Sequence, residues 1–450
     1  MNARDVPFAT RTTKAKPLFA HQKQSLGVLK KNKRVFDTSD PGTGKTRVEV
    51  EDFAARRRKG GGCALVLATK SLLESAWQKD FNEFAPDMGV SVAFAANREK
   101  AFQAKADVFV TNHDAVKWLA AQPKSFFARF DTLIIDESTA FKHHTSQRSA
   151  AVAKIAKYFD YRRLLTGTPN SNGITDLWHQ VYLLDDGQRL GKSFFAFRSA
   201  ACIPQQVGPT ASMIKWTDRP GIEATVSAML RDITIRHKFE DCVDIPENYK
   251  YAKTFKLAKK HYAAYNEMAD FQILQLKKTT VTAINGAVVA GKLLQIASGA
   301  TYNDDGAYSL IDSERYSLIL DLVEERRHSI VFFNWEHQRD ELIKEAQARK
   351  VSHAVYDGST PDKVRAKIVK DYQEGKYQVL FAHPQSAGHG LTLTKGTATI
   401  WASPTYNLEH FLQGLKRIHR IGQTERTETI VVVAEGTIDD AVIDAEGDGH

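Results

Sequence analysis

Short apolar runs bounded by turn residues punctuate the chain: 64-ALVLA-68, 107-DVFVT-111, 132-TLIID-136, 329-SIVFF-333, 378-QVLFA-382 and 398-ATIWA-402. Runs this short, with no polar alternation, predict strands buried on both faces, as in a parallel sheet. The spacing between them turns helical. The stretch 361-PDKVRAKIVKDYQEG-375 predicts a helix with Thr360 as its N-cap and Pro361 in the first turn. Strand and helix alternate over about 35–185 and again over 315–435, which implies an α/β class with two doubly wound parallel sheets in tandem.

The pattern changes between these blocks. Residues 222–300 read as mostly helical, and 255-FKLAKKHYAAYNEMADFQILQL-276 carries apolar residues at helical spacing. Its aromatic stripe, Tyr262, Tyr265 and Phe271, fits core packing better than a base-stacking platform. The turn 218-DRPG-221 and the stretch 241-DCVDIPENYK-250 are candidate linkers. The domains expected are a tail at 1–17, a first sheet domain at 18–221, a helical insertion at 222–310 and a second sheet domain at 311–450 ending in the acidic stretch 435-EGTIDDAVIDAEGDGH-450.

Length agrees with two domains, since 450 residues exceed what one core usually holds. With 42% hydrophobic and 26% charged residues, the composition is that of an ordinary globular protein. A net charge of +9 points to a polyanionic partner, and nucleic acid fits better than a membrane surface because no basic amphipathic helix stands out. Cys63, Cys202 and Cys242 are odd in number and widely spaced, which excludes a disulfide framework and a CxxC metal knuckle. The N-terminal residues have no apolar core for a signal peptide, and 63-CALVLA-68 is too short to span a bilayer. These features predict a soluble cytoplasmic protein.

Candidate chemistry starts at 39-SDPGTGKT-46, where the probable strand residues Val35 and Phe36 lead into a glycine-containing loop and then a helix. Backbone N–H groups at Gly42, Thr43 and Gly44 can face a phosphate, Lys45 can reach β and γ oxygens, and the Thr46 hydroxyl can hold Mg²⁺. The first glycine of the usual GxxxxGK[ST] pattern is Ser39. In 132-TLIIDEST-139 a β-branched strand ends in paired acids, with Asp136 suited to the Mg²⁺ shell and Glu137 to orienting and deprotonating a water.

The third element is 413-QGLKRIHRIGQ-423. Its cations read on their own as the solvated face of a helix. Beside a phosphate loop and an acid pair, Arg417 and Arg420, three apart on one helix face, read as cations that complete an ATP site from the opposite domain.

Together these stretches resemble the Swi/Snf group of superfamily 2 helicases and translocases. The resemblance covers about residues 18–442, through 20-AHQKQSLG-27, 66-VLATKSLLESAWQKDF-81, 109-FVTNHD-114, 163-RLLTGTPNSNGITDLW-178, 331-VFFNW-335, 356-YDGSTPDKVRAKIVKDYQ-373 and 386-SAGHGLTLT-394 in order. It implies two RecA-like domains, with Gln22 reading adenine and Gln413, Arg417 and Arg420 acting in hydrolysis. Thr166, Gly167 and Thr168 would link the ATP site to DNA. The resemblance also implies contacts to DNA phosphates from Thr69, Lys70, Thr111, Asn334 and Ser386, with backbone amides at Gly388; such contacts are salt-sensitive and largely independent of sequence.

Two departures stand out. Ser138 and Thr139 follow the acid pair where the group often has a small residue and then histidine, and Lys416 replaces a common glycine before Arg417. The expected activity is an ATP- and Mg²⁺-dependent DNA helicase or translocase, as a monomer, remodelling forks and four-way junctions. An ATP-gated subunit of a larger replication, restriction or recombination complex is the alternative, with an RNA helicase as a third reading.

Overall fold

The computed structural model describes residues 17–447 except 208–212, 243–244, 279–282, 304, 388–390 and 421. In chain order the strands are β1 (Arg34–Asp37), β2 (Cys63–Ala68), β3 (Val90–Ala93), β4 (Val108–Asn112), β5 (Phe130–Asp136), β6 (Tyr161–Leu165), β7 (Cys202–Gln206), β8 (Ile214–Asp218) and β9 (Thr234–Ile235). They continue with β10 (Asn248–Phe255), β11 (Ala300–Tyr302), β12 (Tyr308–Leu310), β13 (Ser329–Phe332), β14 (His353–Tyr356), β15 (Val379–Ala382), β16 (Ala398–Trp401) and β17 (Thr427–Ala434). One sheet has the order β3-β4-β2-β5-β6-β1-β9 and the other β10-β17-β16-β13-β15-β14. Every pairing within these two sheets is parallel.

The reason for the apolar runs is visible in how their side chains divide. Successive residues of a strand point to opposite faces. Leu65, Leu67, Leu133 and Ile135 join one cluster, while Ala64, Val66, Ala68 and Ile134 join another across the sheet. The second sheet divides likewise, Val331, Phe381 and Ile400 against Ile330, Phe332, Leu380 and Trp401. Both faces of both sheets are therefore covered, as the doubly wound expectation requires, and burying each such side chain contributes ~1.5–3 kcal/mol.

Several expectations change. The first sheet does not end at 221: Gly221 is the N-cap of helix Ile222–Leu230, and β9 pairs with β1 beyond it. The segment read as mostly helical also supplies β10, which pairs along its length with β17, so the helical portion narrows to Lys259–Lys278 and Ala283–Ala297. Its aromatic stripe does not share one burial, because Tyr265 is in a core whereas Tyr262 and Phe271 are exposed.

Thr360 is not the N-cap of the following helix. Its hydroxyl accepts the Asp357 N–H at 3.0 Å to close the preceding turn, and Pro361, in extended conformation, is the capping residue of Asp362–Gln373. The acidic C-terminal stretch forms helix Ile438–Gly447. Among the described residues no helix is long and apolar enough to cross a membrane.

Candidate ATP site

β1 delivers the chain to residues 39–44 at the carboxyl edge of the first sheet, where α/β folds place their ligands. Ser39 has a role that glycine lacks: its Oγ accepts the His237 N–H at 3.0 Å, while its own N–H donates to Asp37 Oδ1 at 2.9 Å. Gly42 and Gly44 have φ of 90° and 83°, backbone that side chains rarely adopt. A Cβ on Gly44 would also lie 2.3 Å from Gln22 Nε2. Gln22 and His21 both bond to Thr43 O, at 3.3 and 2.8 Å, which brings the predicted adenine reader onto the loop.

Helix Lys45–Arg57 begins immediately after Gly44, so its unpaired N–H groups and dipole face the loop. Lys45 Nζ donates to Ser39 O at 2.6 Å and Asp40 O at 3.2 Å; phosphate oxygens would compete for these same donors. Thr46 stands in the first helical turn, half-buried. A cavity of about 440 Å³ opens beside the loop, lined by Ala20, His21, Gln24, Arg236, His237 and Lys238 among others.

At the end of β5, Asp136 is buried. Its Oδ2 accepts the Trp77 indole N–H at 2.9 Å and its Oδ1 the Glu137 N–H at 3.1 Å. Burial pushes its carboxyl above the usual range, and the Trp77 bond and the Lys45 charge pull it back. His113 bonds to Asp136 O at 2.8 Å and is pushed down to about 4 by burial, so it stays neutral. Glu137 has φ 50° and ψ 58°, a left-handed conformation that costs a non-glycine residue ~1–3 kcal/mol and clusters at functional sites.

Among the described residues, no three His, Cys, Asp or Glu side chains converge as a metal cage. Asp136 and Thr46 supply the one carboxylate and one hydroxyl that would hold a magnesium ion keeping most of its water.

Ser138 is tied into this region. Its hydroxyl donates to Gln180 Oε1 at 2.7 Å, and Gln180 Nε2 donates to Pro169 O at 2.7 Å. This buried amide connects the acid pair to the 166-TGTP-169 turn. The turn itself abuts the phosphate loop: Thr166 N–H donates to Asp37 O at 3.0 Å, and a Cβ on Gly167 would lie 2.7 Å from Pro41 Cδ.

Arg417 and Arg420 are not on a helix. Helix Leu408–Leu415 stops before Lys416, and Arg417 and Arg420 bond back to Gly414 O and Ile418 O in tight turns. The Gln423 amide holds this shape by donating to Thr394 O, Gly396 O and Ile418 O at 3.2, 3.0 and 3.3 Å. The turns still bring the arginines together, because Nη1 of each points at Leu391 O, at 3.4 Å for Arg417 and 2.8 Å for Arg420.

Burial pushes the Arg417 guanidinium down to about 9, with Arg420 lowering it further and Glu137 of the first domain raising it. A Cβ on Gly42 would lie 3.8 Å from Arg420 Cβ, so the arginine turn faces the phosphate loop across the cleft. Gln413 is buried in the last turn of the preceding helix, and its carbonyl accepts Arg417 Nε at 2.7 Å.

The predicted DNA-contacting residues divide. Lys70 is exposed after β2 and Thr69 half-buried beside it. Asn334 is half-buried and donates to Ser403 Oγ at 3.2 Å, and Ser386 is half-buried after β15. Thr111 does not reach the surface: it is fully buried and its hydroxyl donates to Ala93 O at 2.8 Å, because its position in β4 points inward. Gly388 lies outside the described residues. Sequence reasoning missed a groove of about 330 Å³ between Lys142, Ser171 and Asn172 of the first domain and Tyr406, Asn407 and Leu408 of the second. It also missed Arg236, His237 and Phe239 behind the phosphate loop; β9 is two residues long and too short to leave a periodic signal.

The SNF2-related domain model matches residues 21–298 and the helicase conserved C-terminal domain model matches 314–422. The chain belongs to the SNF2-related family. It is 30% identical over 399 residues to protein p41 of Acyrthosiphon pisum secondary endosymbiont phage 1, covering 84% of each chain. It is 22% identical to an uncharacterized ATP-dependent helicase of Mycoplasma genitalium, covering 84% of this chain and 36% of that one. Among solved structures, the SWI2/SNF2 ATPase core of Sulfolobus solfataricus in complex with dsDNA is 19% identical, covers 96% of this chain and 91% of that chain, and gives a TM-score of 0.46. The SNF2-related match spans the glycine loop and the acid pair, and the helicase C-terminal match spans Gln413, Arg417 and Arg420.

Proposed function

We propose that this SNF2-related chain hydrolyses ATP to track along duplex DNA and that its work is to move branch points at forks and four-way junctions. The observation that carries the reading is the opposition of Gly42 and Arg420 across the cleft, with Glu137 close enough to raise the Arg417 guanidinium. Amides at Gly42, Thr43 and Gly44 with Lys45 hold the phosphates, Gln22 reads the adenine edge, and Thr46 and Asp136 hold the magnesium ion that neutralises phosphate charge. Glu137 orients and deprotonates the water. Arg417 and Arg420, positioned through Gln413, meet the charge that develops in transfer.

Thr69, Lys70, Asn334 and Ser386 follow strand ends in the two domains, where they can grip phosphates, and the net charge of +9 favours that partner. Branch movement follows from energetics: each base pair lost on one arm is regained on another, whereas opening a plain duplex costs a mean of ~1.4 kcal/mol per step. The test is ATP turnover and product formation on a mobile four-way junction, a fork, a blunt duplex and an RNA hairpin of similar length. Faster resolution of the junction and fork supports the reading. Equal opening of the blunt duplex, or stimulation by RNA alone, overturns it.

A further inference from the structure

The segments 236–242 and 245–247, between the last strand of the first sheet and β10 of the second, touch both halves of the ATP site. On the loop side, Asp40 N–H donates to His237 O and Phe239 N–H to Asp40 Oδ2, each at 3.0 Å, and Arg236 pairs with Asp40 at 3.0 Å. The Phe239 ring is fully buried against the loop, with Cε2 only 3.0 Å from where a Gly42 Cβ would stand. On the arginine side, Lys416 Nζ lies 4.3 Å from the centre of that ring, and the His419 ring meets it at a steep angle at 5.6 Å. His419 Nε2 also bonds to Pro246 O, in the second of these segments, at 3.1 Å.

Lys416 and His419 are the immediate chain neighbours of Arg417 and Arg420. Lys416 and His419 therefore leave the nucleotide to the two arginines of 416-KRIHR-420 and hold an aromatic ring. A glycine, which is common in the group at the position of Lys416, has no charge to place there. The ammonium is largely withdrawn from water beside Asp40 and Glu240, where a ring face is worth more to a cation than at the surface.

We infer that Phe239, gripped by Lys416 and His419, is an interdomain clasp that sets the spacing between the phosphate loop and the arginine turn. Its members are positioning residues: they act on hydrolysis through Arg417 and Arg420 and touch no reacting atom. The clasp rests on the assignment of those arginines made above. Plain interface packing would contribute stability alone; a clasp sets how often the arginines reach the transition state and leaves ATP binding to the loop.

The experiment measures DNA-saturated ATP turnover and thermal melting of the full chain with Lys416→Gly, Lys416→Arg, Phe239→Leu and the double variant Phe239→Leu with Lys416→Gly. Each of Lys416→Gly and Phe239→Leu is expected to lower kcat about tenfold, the ~1.4 kcal/mol that a factor of ten represents, with KM for ATP within about twofold. Lys416→Arg should restore most of the rate, since a guanidinium also stacks on a ring. The double variant should fall no further than the worse single one, because the two share one contact. Losses that multiply, a raised KM with unchanged kcat, or wild-type kcat in Lys416→Gly would each overturn the clasp. Lys416→Gly keeps the test decisive where Phe239→Leu melts early. Arg417→Ala run in parallel separates the two claims: turnover retained there removes the arginine assignment, and turnover lost there but kept in Lys416→Gly removes only the clasp.

Discussion

On the first domain the groups proposed to face a phosphate are the Lys45 ammonium and backbone amides, the amides locked by glycines at positive φ and by bonds between the loop and Asp37, His237 and Gln22. On the second they are two guanidiniums at the ends of long side chains, bonded to the carbonyls of Gln413 and Leu391. Amides fixed within one domain are in place however the two domains sit. Long arms whose bonds to carbonyls are exchangeable add stabilisation that depends on how the domains sit. Such a division makes binding local to one domain and hydrolysis a property of two, which is what coupling to movement requires.

Removing both arms is the strongest way to break the comparison. Arg417→Ala with Arg420→Ala should lower turnover by ~10³–10⁵, the range of arginine fingers, while melting changes little and ATP affinity is kept. Unchanged hydrolysis would leave these cations a role in packing the second domain only. On the opposite face, Glu137→Gln should lower turnover by ~10²–10⁴ with nucleotide still bound, as expected when a base and not a phosphate ligand is lost. Lys45→Ala should lose turnover and affinity together; equal nucleotide binding in the two variants, measured by titration, would blur the proposed division of roles.

A third change sharpens it within the first domain. Gln180→Leu leaves the Ser138 hydroxyl and Pro169 O without their shared partner, at ~1–3 kcal/mol of stability. It should reduce stimulation by DNA more than turnover without DNA. A fall in both by the same factor would make the bond structural only.

The smallest effect concerns the ion cluster beneath the loop helix. Arg163 lies 3.7 Å from Glu49 and 3.5 Å from Asp52, yet burial outweighs that attraction and pushes the Glu49 carboxyl from its ordinary 4.5 up to about 8. The folded chain then holds a proton that the unfolded chain releases. Stability from this group is fully present below pH 4.5 and lost as pH rises towards 8. Glu49→Gln should flatten the melting temperature over that window; an unchanged slope would show that Glu49 is ionised in the folded state.

How much of this was legible depended on the physics of each part. The strands at 64–68, 132–136 and 398–402 were readable because both faces are buried, leaving unbroken apolar runs. β6 was not, since its Arg162 and Arg163 are buried and lie against Asp186, Glu49 and Asp52 from elsewhere in the chain. Hydropathy marks such a strand as polar. The helix assigned to Arg417 and Arg420 was reasonable from spacing alone. It fails because Gln423 and the loop at Thr394–Gly396 bond the chain into turns.

By itself the sequence determined the class of fold and marked the loop, the acid pair and the arginines as candidates, because a glycine-containing loop after a strand and the burial of apolar runs are local properties of a contiguous segment. Only the tertiary structure decided that Thr111 points inward, that Ser138 reaches the TGTP turn through Gln180, and that Lys416 and His419 pack on Phe239 while Arg417 and Arg420 turn to Leu391 O. Each of these depends on which side chains meet across long sequence separations. Packing alone sets that choice, since the same short stretch of cations would be written identically for a solvated surface and for a buried contact.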